Sequence, residues 1–376
     1  MAKAFGIVNT SGNHIWVEGM QDYRPIGAFS FLGRYRITDF PISNMSNSDI
    51  DRIQVFAGAN PRSLIEHVGS GRHYNINSKR GKLQILFAES QSKNDIYNTD
   101  IAAFWANLDS IQKMKEEYVV IAPNHMIYVM NFRKLLKDHV KSGADITLLY
   151  HSVADANVNY LNCSYLTLNR QSGVLSVATN RGTDANRDIF MDTYVMKKDL
   201  FIELIQKARA LSSMYTLAQI VNIECEELDI RGYKHEGYFA AITNFKSYYD
   251  ANMKMIDYEA TKELFLPEWP IYTRTNDSCP TQYCETADVK ESVISNGCII
   301  EGTVENSIIG RGCIIKKGTV IKNSIILPSS RVDENIHVEN YVVGKHSSVI
   351  HCKELIADAD TPGYVRRGDT LYYRKI

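Results

Sequence analysis

Over residues 1 to about 250 the apolar positions follow two alternating rhythms. Short continuous runs at Ala4–Val8, Arg52–Ala57, Leu83–Phe87, Tyr118–Ala122 and Ala144–Tyr150 read as strands buried on both faces. Between them, apolar residues recur at a helical period. In NFRKLLKDHVKSG, the residues Phe132, Leu135, Leu136 and Val140 share one face. Asn131 is placed to cap the start of that helix and Gly143 to end it. Asp199 stands in the same way before Phe201, Leu204, Ile205 and Ala208. The alternation predicts a largely parallel sheet with helices on both faces. Such sheets bind ligands beyond the carboxyl ends of their strands. That places the loop Asn9–Gln21 and the turn Pro123–Met126 on the functional rim.

The rhythm then changes twice. LFLPEWPIYTRTNDSCPTQY, inside residues 251–285, carries three prolines and little periodicity, so this stretch reads as an extended linker. From 286 to 376 the chain is dense in β-branched and turn residues. Ile309, Ile315 and Ile321 lie six apart, as do Ile326, Val332 and Val338. SVISNGCII and SIIGRGCII are near-copies fifteen residues apart, and NSIIL opens a third copy. A hexapeptide period with Gly or Asn at the corners predicts a parallel β-helix whose Ile and Val point inward. Cys298 and Cys313 fall at equivalent positions and read as small apolar spacers.

Composition narrows the setting. A chain of 376 residues predicts about two domains. The net charge of −1 gives no reason to expect nucleic acid or an anionic membrane surface as partner. No apolar run approaches the roughly 18 residues of a membrane span. The first residues enter a strand pattern directly, with no signal-peptide pattern. Seven cysteines without a C-x-x-C pair suit free thiols in a reducing, cytoplasmic compartment.

Three stretches resemble a known family. GRYRITDFPISNMSNSDI at 33–50 and GYFAAITNFKSYYDANM at 237–253 resemble two blocks of bacterial glucose-1-phosphate adenylyltransferase, the ADP-glucose pyrophosphorylase family. VVIAPNHMIYVMNF at 119–132 is similar to a third. The resemblance spans essentially the whole chain. It implies a Rossmann-like nucleotidyltransferase domain at 1–250, a linker at 251–285 and a left-handed parallel β-helix at 286–376. It also implies a reaction in which glucose 1-phosphate attacks the α-phosphorus of ATP and pyrophosphate leaves. That chemistry needs a glycine-rich phosphate loop, cations, and carboxylates for Mg²⁺.

Here the chain departs from the family. Where the family resembles G-G-x-G-T-R-L, this chain reads Asn9-Thr10-Ser11-Gly12-Asn13-His14-Ile15. Two glycines and the arginine are gone, and His14, which falls where the arginine would be, is either its substitute or a plain surface histidine. The first metal-binding Asp falls on Asn124 or His125, and the second on Ala241. The family's G-T-A-D-A block corresponds to Thr99-Asp100-Ile101-Ala102-Ala103, and no E-K-P appears near GVLSVATNRGTD. Each lost group is commonly worth about 3 kcal/mol of transition-state stabilisation or more. The scaffold residues Gly33, Asp39, Phe40, Asn44, Tyr238 and Asn252 are kept. Within the family this combination resembles the non-catalytic GlgD-type glycogen biosynthesis subunit. No catalytic residue and no bound metal is therefore expected in this chain, although the family uses Mg²⁺.

The resemblance implies a heterotetramer with a catalytic homologous subunit. Arg24, before Pro25, together with Arg34 and Arg36, forms a candidate site for an anionic effector such as a sugar phosphate. The plainer alternative pairs Arg36 with Asp39 and leaves Arg34 in solvent. YVRRGDTLYYRKI near the end, with Arg366, Arg367, Arg374 and Lys375, is either a contact segment or a solvated tail. Tyr248, Tyr249 and Tyr258 are expected in core or interface. Two other functions compete with the regulatory reading: an active sugar nucleotidyltransferase with altered metal geometry, and a hexapeptide acyltransferase using His337, His346 or His351.

Overall fold

The computed structural model describes residues 2–9, 15–77, 79, 81–87 and 97–371. The strands of the main sheet are β1 (Ala4–Asn9), β2 (Arg52–Ala57), β3 (Lys82–Phe87), β4 (Tyr118–Pro123), β5 (Ile146–Val153), β6 (Ser164–Leu168), β7 (Val174–Thr179), β8 (Arg187–Lys197) and β9 (Ile230–Lys234). Strands β3, β2, β1 and β4 run parallel in that spatial order. The long β8 then enters antiparallel to β4 and to β5, and β9 pairs parallel with β5. The β6–β7 hairpin hangs on β8. Five of the helices matter below: α1 (Asp39–Asn47), α2 (Asp100–Ala106), α3 (Phe132–Ser142), α4 (Lys198–Leu211) and α5 (Phe245–Lys254).

Side chains alternate across the sheet. Val8, Val55 and Val120 pack on one face with Ile42 and Met45 of α1 and Leu135 of α3. Phe5, Ile7, Phe56 and Ile121 pack on the other with Phe104 of α2 and Phe201, Leu204 and Ile205 of α4. Continuous apolar strands are what a sheet covered on both faces requires. Asn131 caps α3 by accepting from the Lys134 N–H at 3.0 Å, and Gly143 ends it with φ 72°. One position on that helix departs from expectation. Val140 is 43% exposed, and His139 takes the buried place, bonded through Nδ1 to Thr147 Oγ1 at 2.8 Å. His139 lies four residues from Leu135 and three from Leu136, at the centre of the apolar stripe, whereas Val140 lies at its edge.

The 251–285 stretch is not extended throughout. Helix α5 runs into it, and a second helix, Tyr258–Leu264, follows, capped by Asp257. The irregular part crosses back over α1: Asn47 Nδ2 donates to Pro270 O, and Trp269 Nε1 donates to Asn44 Oδ1, both at 2.9 Å. From Gln282 the chain winds into three parallel sheets of six, five and five strands, the walls of a left-handed β-helix. Register partners Ile294, Ile309, Ile326, Val343 and Val365 stack on one another. Ile309, Ile315, Ile321, Ile326, Val332 and Val338 all point inward and are fully buried. All seven cysteines are free thiols, and the Cys298 and Cys313 thiols sit inside the β-helix, bonded to the backbone carbonyls of Gly310 and Leu327.

One wall of the β-helix lies against the α/β domain. Ile308, Ile325 and Val342, on its outer side, join Phe29, Phe31, Phe40 and Tyr248 in a single apolar cluster. Tyr248 is buried with its hydroxyl on Ser30 O at 2.7 Å, and Tyr249 donates to Asn323 O across the junction. Tyr258 is not in the core: it is 69% exposed, with the Lys262 ammonium over its ring. Tyr364 packs on Phe245 and the Arg367 guanidinium lies over Tyr23, so the terminal segment contacts the α/β domain. Arg374 and Lys375 lie outside the described residues.

Candidate functional site

The rim forms where β1 and β4 end side by side. Asn9 is in register with Pro123, and the Asn124 N–H donates to Asn9 O at 3.0 Å. The loop residues Thr10 to His14 lie outside the described residues. Asn9 directs its amide to Asp100, and its Oδ1 is buried without a partner. The Asn124 side chain packs against Gly27, and neither of its amide atoms has a partner.

His125 is fully buried, and neither ring nitrogen is bonded. Burial alone pushes its pKa down to about 3, so the imidazole is neutral at ordinary pH. Its Nε2 lies 3.6 Å from Asp192 Oδ2. Ala241 is paired with Met126 in a short antiparallel ribbon, and the Ile242 N–H donates to His125 O at 2.8 Å. The fold thus brings positions 9, 124, 125 and 241 to one place.

Two carboxyls complete this rim. Asp192 stands on β8 where its pairing with β5 skips between Phe190 and Tyr194, and its backbone is left-handed at φ 43°. Burial, helped by Asp100, pushes the Asp192 carboxyl up to about 7. Burial also raises Asp100 to about 6, against the N–H bonds it accepts from Leu217 and Ile101. Those bonds fix Asp100 as a tie between α2 and its neighbouring helix, while Thr99 caps α2 by accepting from Ala102 N–H at 3.2 Å. The 99–103 stretch, which does not keep the family's G-T-A-D-A, is thus engaged in holding a helix. Asp192 escaped the sequence reading. Its one signal was an acidic residue inside the apolar run IFMDTYVM.

A second group of residues gathers between the domains. Arg24 is buried, and desolvation lowers its pKa. Arg36 has a buried, unpartnered NH1 and is lowered to about 10, first by burial and then by Arg24. Lys345, from the β-helix, is lowered to about 8 by burial and by Arg36, Arg24 and Arg367. Four cations thus repel one another at the domain junction, a high-energy arrangement that an anion relieves. Arg36 does not pair with Asp39 through its guanidinium. Asp39 Oδ2 accepts the Arg36 backbone N–H at 2.8 Å, while Oδ1 accepts from His67 Nε2 and the Tyr74 hydroxyl, both at 2.6 Å. Arg34 is separate: it stands by Arg311, with its guanidinium 5.7 Å from the Tyr35 ring.

Comparison with known proteins fits this layout. The nucleotidyl transferase family model matches residues 23–160, and the GlmU-like C-terminal hexapeptide model matches 279–361. Glucose-1-phosphate adenylyltransferase of Clostridium perfringens (strain 13 / Type A) is 30% identical over 316 residues, 81% of this chain and 78% of that protein. This chain belongs to the glucose-1-phosphate adenylyltransferase family. The glycogen biosynthesis protein GlgD of Bacillus subtilis (strain 168) is 28% identical over 368 residues, 97% of this chain and 96% of that protein. GlgD of Geobacillus stearothermophilus is 28% identical over 325 residues, 85% of this chain and 83% of that one.

Family membership raises the question of Mg²⁺ at the rim. The donor set does not fit it. Mg²⁺ takes hard, charged oxygens, and the positions in question hold a neutral amide or imidazole, Asn124 or His125, and the methyl group of Ala241. Among the described residues no three His, Cys, Asp or Glu side chains converge on a metal-sized site. No described helix is long and apolar enough to cross a membrane. The β-helix histidines stand apart from one another in role: His337 faces Glu339 at 3.3 Å, while His346 and His351 occupy left-handed corners.

Proposed function

We propose that this chain is a catalytically impaired regulatory subunit of glucose-1-phosphate adenylyltransferase. It pairs with a catalytic homologue in a cytoplasmic heterotetramer and modulates ADP-glucose synthesis for glycogen. The observation that carries this reading is the rim. Asn9, neutral His125 and Ala241 stand where the family's reaction needs a phosphate clamp and two metal carboxylates, and the carboxyls that are present, Asp100 and Asp192, are held toward their neutral forms. Such a rim neither neutralises a triphosphate nor offsets charge on the leaving pyrophosphate. The similarity to two GlgD proteins and to a glucose-1-phosphate adenylyltransferase supplies the process and the partner class. The Arg24–Arg36–Lys345–Arg367 cluster supplies a seat for an anionic effector such as a sugar phosphate.

The test is an assay of ADP-glucose formation with the purified chain alone, with its catalytic homologue alone, and with both co-expressed. The expected result is no detectable turnover by this chain, a stable complex of mixed subunits, and altered kcat or effector response in the mixture. Robust turnover by the chain alone overturns the proposal in favour of an active nucleotidyltransferase with altered metal geometry. An unaltered partner overturns the regulatory role.

A further inference from the structure

We propose that His151 and His235 form a binding site for a divalent transition-metal ion of the zinc or copper type, with water completing its shell. The pair sits at the carboxyl ends of two neighbouring parallel strands. Lys234 of β9 is in register with Tyr150 of β5, and the His235 N–H donates to Tyr150 O at 2.7 Å. His235 therefore stands beside His151, and their two Nδ1 atoms face each other at 3.1 Å. Neither residue belongs to the rim positions 9, 124, 125 and 241 or to the Arg24–Arg36–Lys345–Arg367 cluster.

The neighbours decide which nitrogen carries a proton. Val129 O lies 3.0 Å from His235 Nε2, and a carbonyl can only accept. Nε2 therefore carries the hydrogen, and the Nδ1 of the neutral ring carries a lone pair directed at His151. Metal-binding histidines are held in this way, one nitrogen tied to a carbonyl and the other left to ligate. Burial keeps both rings neutral. It lowers His235 to about 4 and His151 below its ordinary value, outweighing the backbone carbonyl that favours charge on each. Neutral imidazoles offer their lone pairs to a metal with little competition from protons.

The spacing suits such an ion. Metal–nitrogen bonds of about 2.0–2.1 Å at a tetrahedral angle place two nitrogens about 3.3–3.4 Å apart, so the rings need to part by only a few tenths of an ångström. The ion exchanges two of its waters for the two Nδ1 atoms. The proton that His151 Nδ1 shares with His235 moves to His151 Nε2, so the ring changes tautomer and no net proton is released. His151 is half-buried and gives the ion its way in, whereas His235 is 2% exposed. Phe239 lies 5.2 Å from the His151 ring and stacks on Tyr160, and Tyr128 meets His235 edge-on at 5.7 Å, so aromatic walls hold both imidazoles. Among the described residues no third His, Cys, Asp or Glu joins the pair, and Lys234 disfavours charge beside His151, which sets a moderate affinity. Imidazole ligands favour copper and zinc over Mg²⁺. Gly237, with φ 96°, separates His235 from the ribbon that carries Ala241, so a bound ion pins the near end of that ribbon to β5. This inference goes beyond the subunit role proposed above, and it is read on the isolated chain, so either can fail without the other.

The experiment is calorimetric titration of the full, tag-free chain with ZnCl₂, CuCl₂ and MgCl₂. Zn²⁺ and Cu²⁺ are expected to bind at one shared site, Cu²⁺ the tighter, and both about tenfold or more tighter than Mg²⁺. His151→Asn and His235→Asn are each expected to weaken binding about tenfold or more. His351→Asn, at an exposed corner of the β-helix, is expected to leave it unchanged and controls for surface histidines. Electron paramagnetic resonance of the Cu²⁺ form is expected to show two imidazole nitrogens in the native chain and one in His151→Asn. That half-buried substitution decides the matter should His235→Asn fail to fold. Mg²⁺ binding as tightly as Zn²⁺ overturns the inference. So does the absence of Zn²⁺ and Cu²⁺ binding, full affinity in both His151→Asn and His235→Asn, or an equal loss in His351→Asn.

Discussion

Asp39 is buried with three donors on its carboxylate, and its replacement by asparagine tests how the junction is held. In the native chain Oδ1 accepts from His67 and Tyr74, and Oδ2 accepts the Arg36 N–H. Burial alone raises the Asp39 pKa, but His67 and the three hydrogen bonds outweigh it and hold the group below its ordinary value. An asparagine offers one acceptor and turns an NH₂ toward the remaining donor. Removing a buried charged acceptor that serves three donors typically costs about 3–5 kcal/mol, much of it from donors left unmet. At about 2.1 cal/mol/K of unfolding entropy per residue, a chain of this length has near 0.8 kcal/mol/K, so the melting temperature falls by about 4–6 °C if unfolding is a single transition. Differential scanning calorimetry at pH 7.5 reads this directly. His67→Ala and the double variant complete a cycle, and the double variant is expected to cost little more than Asp39→Asn alone. Because the folded pKa is depressed, the advantage of aspartate is present above the unfolded carboxylate pKa. It disappears as pH falls through the folded value, so wild type and Asp39→Asn converge below about pH 4. A melting shift under about 1 °C at pH 7.5, or additive effects of the two substitutions, refutes the assigned pairing.

Asp192 gives the opposite pH sign. Its folded pKa of about 7 lies above the ordinary carboxylate value, so its cost to stability grows as pH rises from about 4 and is complete above 7. With 31% of the side chain exposed, the gain from Asp192→Asn is discounted to about 1 kcal/mol at pH 8 and is smaller at pH 5, which thermal melts at the two values will show. Gly33 has φ 64°, and a Cβ there would lie 2.6 Å from Ser295 Oγ and 3.1 Å from Ile309 O. Gly33→Ala is expected to cost about 2–4 kcal/mol and to split the calorimetric transition as the β-helix loosens from the α/β domain. A single unshifted transition would contradict this.

Much of the fold was legible because its signals are local. Strand runs, the Asn131 and Gly143 caps and the hexapeptide rungs each follow from neighbouring residues. The doublets Ile308-Ile309, Ile325-Ile326 and Val342-Val343 held more than was drawn from them. Both members are buried, one inside the β-helix and one against the α/β domain, whereas elsewhere Val304 and Val338 alternate with polar neighbours. Ile299-Ile300 and Ile314-Ile315 are doublets too, but their wall continues with Arg331-Val332 and their outer members are only half-buried. What marks the covered wall is an apolar outer residue kept through Ile308, Ile325 and Val342. The rim was legible as a set of absences. Asp192 was not, because its depth depends on β8 returning antiparallel beside β4. Nor was the meeting of Lys345 and Arg367 with Arg24 and Arg36, which lie more than three hundred residues away in sequence and join only when the last coils fold back. Arg36 was expected either in an effector site or paired with Asp39, and Asp39 instead took its backbone N–H, leaving the guanidinium for the cluster.

The shared apolar cluster has a consequence for assembly. A three-walled prism with one wall sealed inside its own chain offers a visiting subunit two walls and two ends. Substitutions on the outer side of the sealed wall, at Ile308, Ile325 or Val342, change how the halves of this chain are angled. Substitutions at Ile299 or Ile314, half-buried on the outside of a free wall, leave that angle alone. Variants at the two sets of positions therefore separate the shape of the subunit from its company.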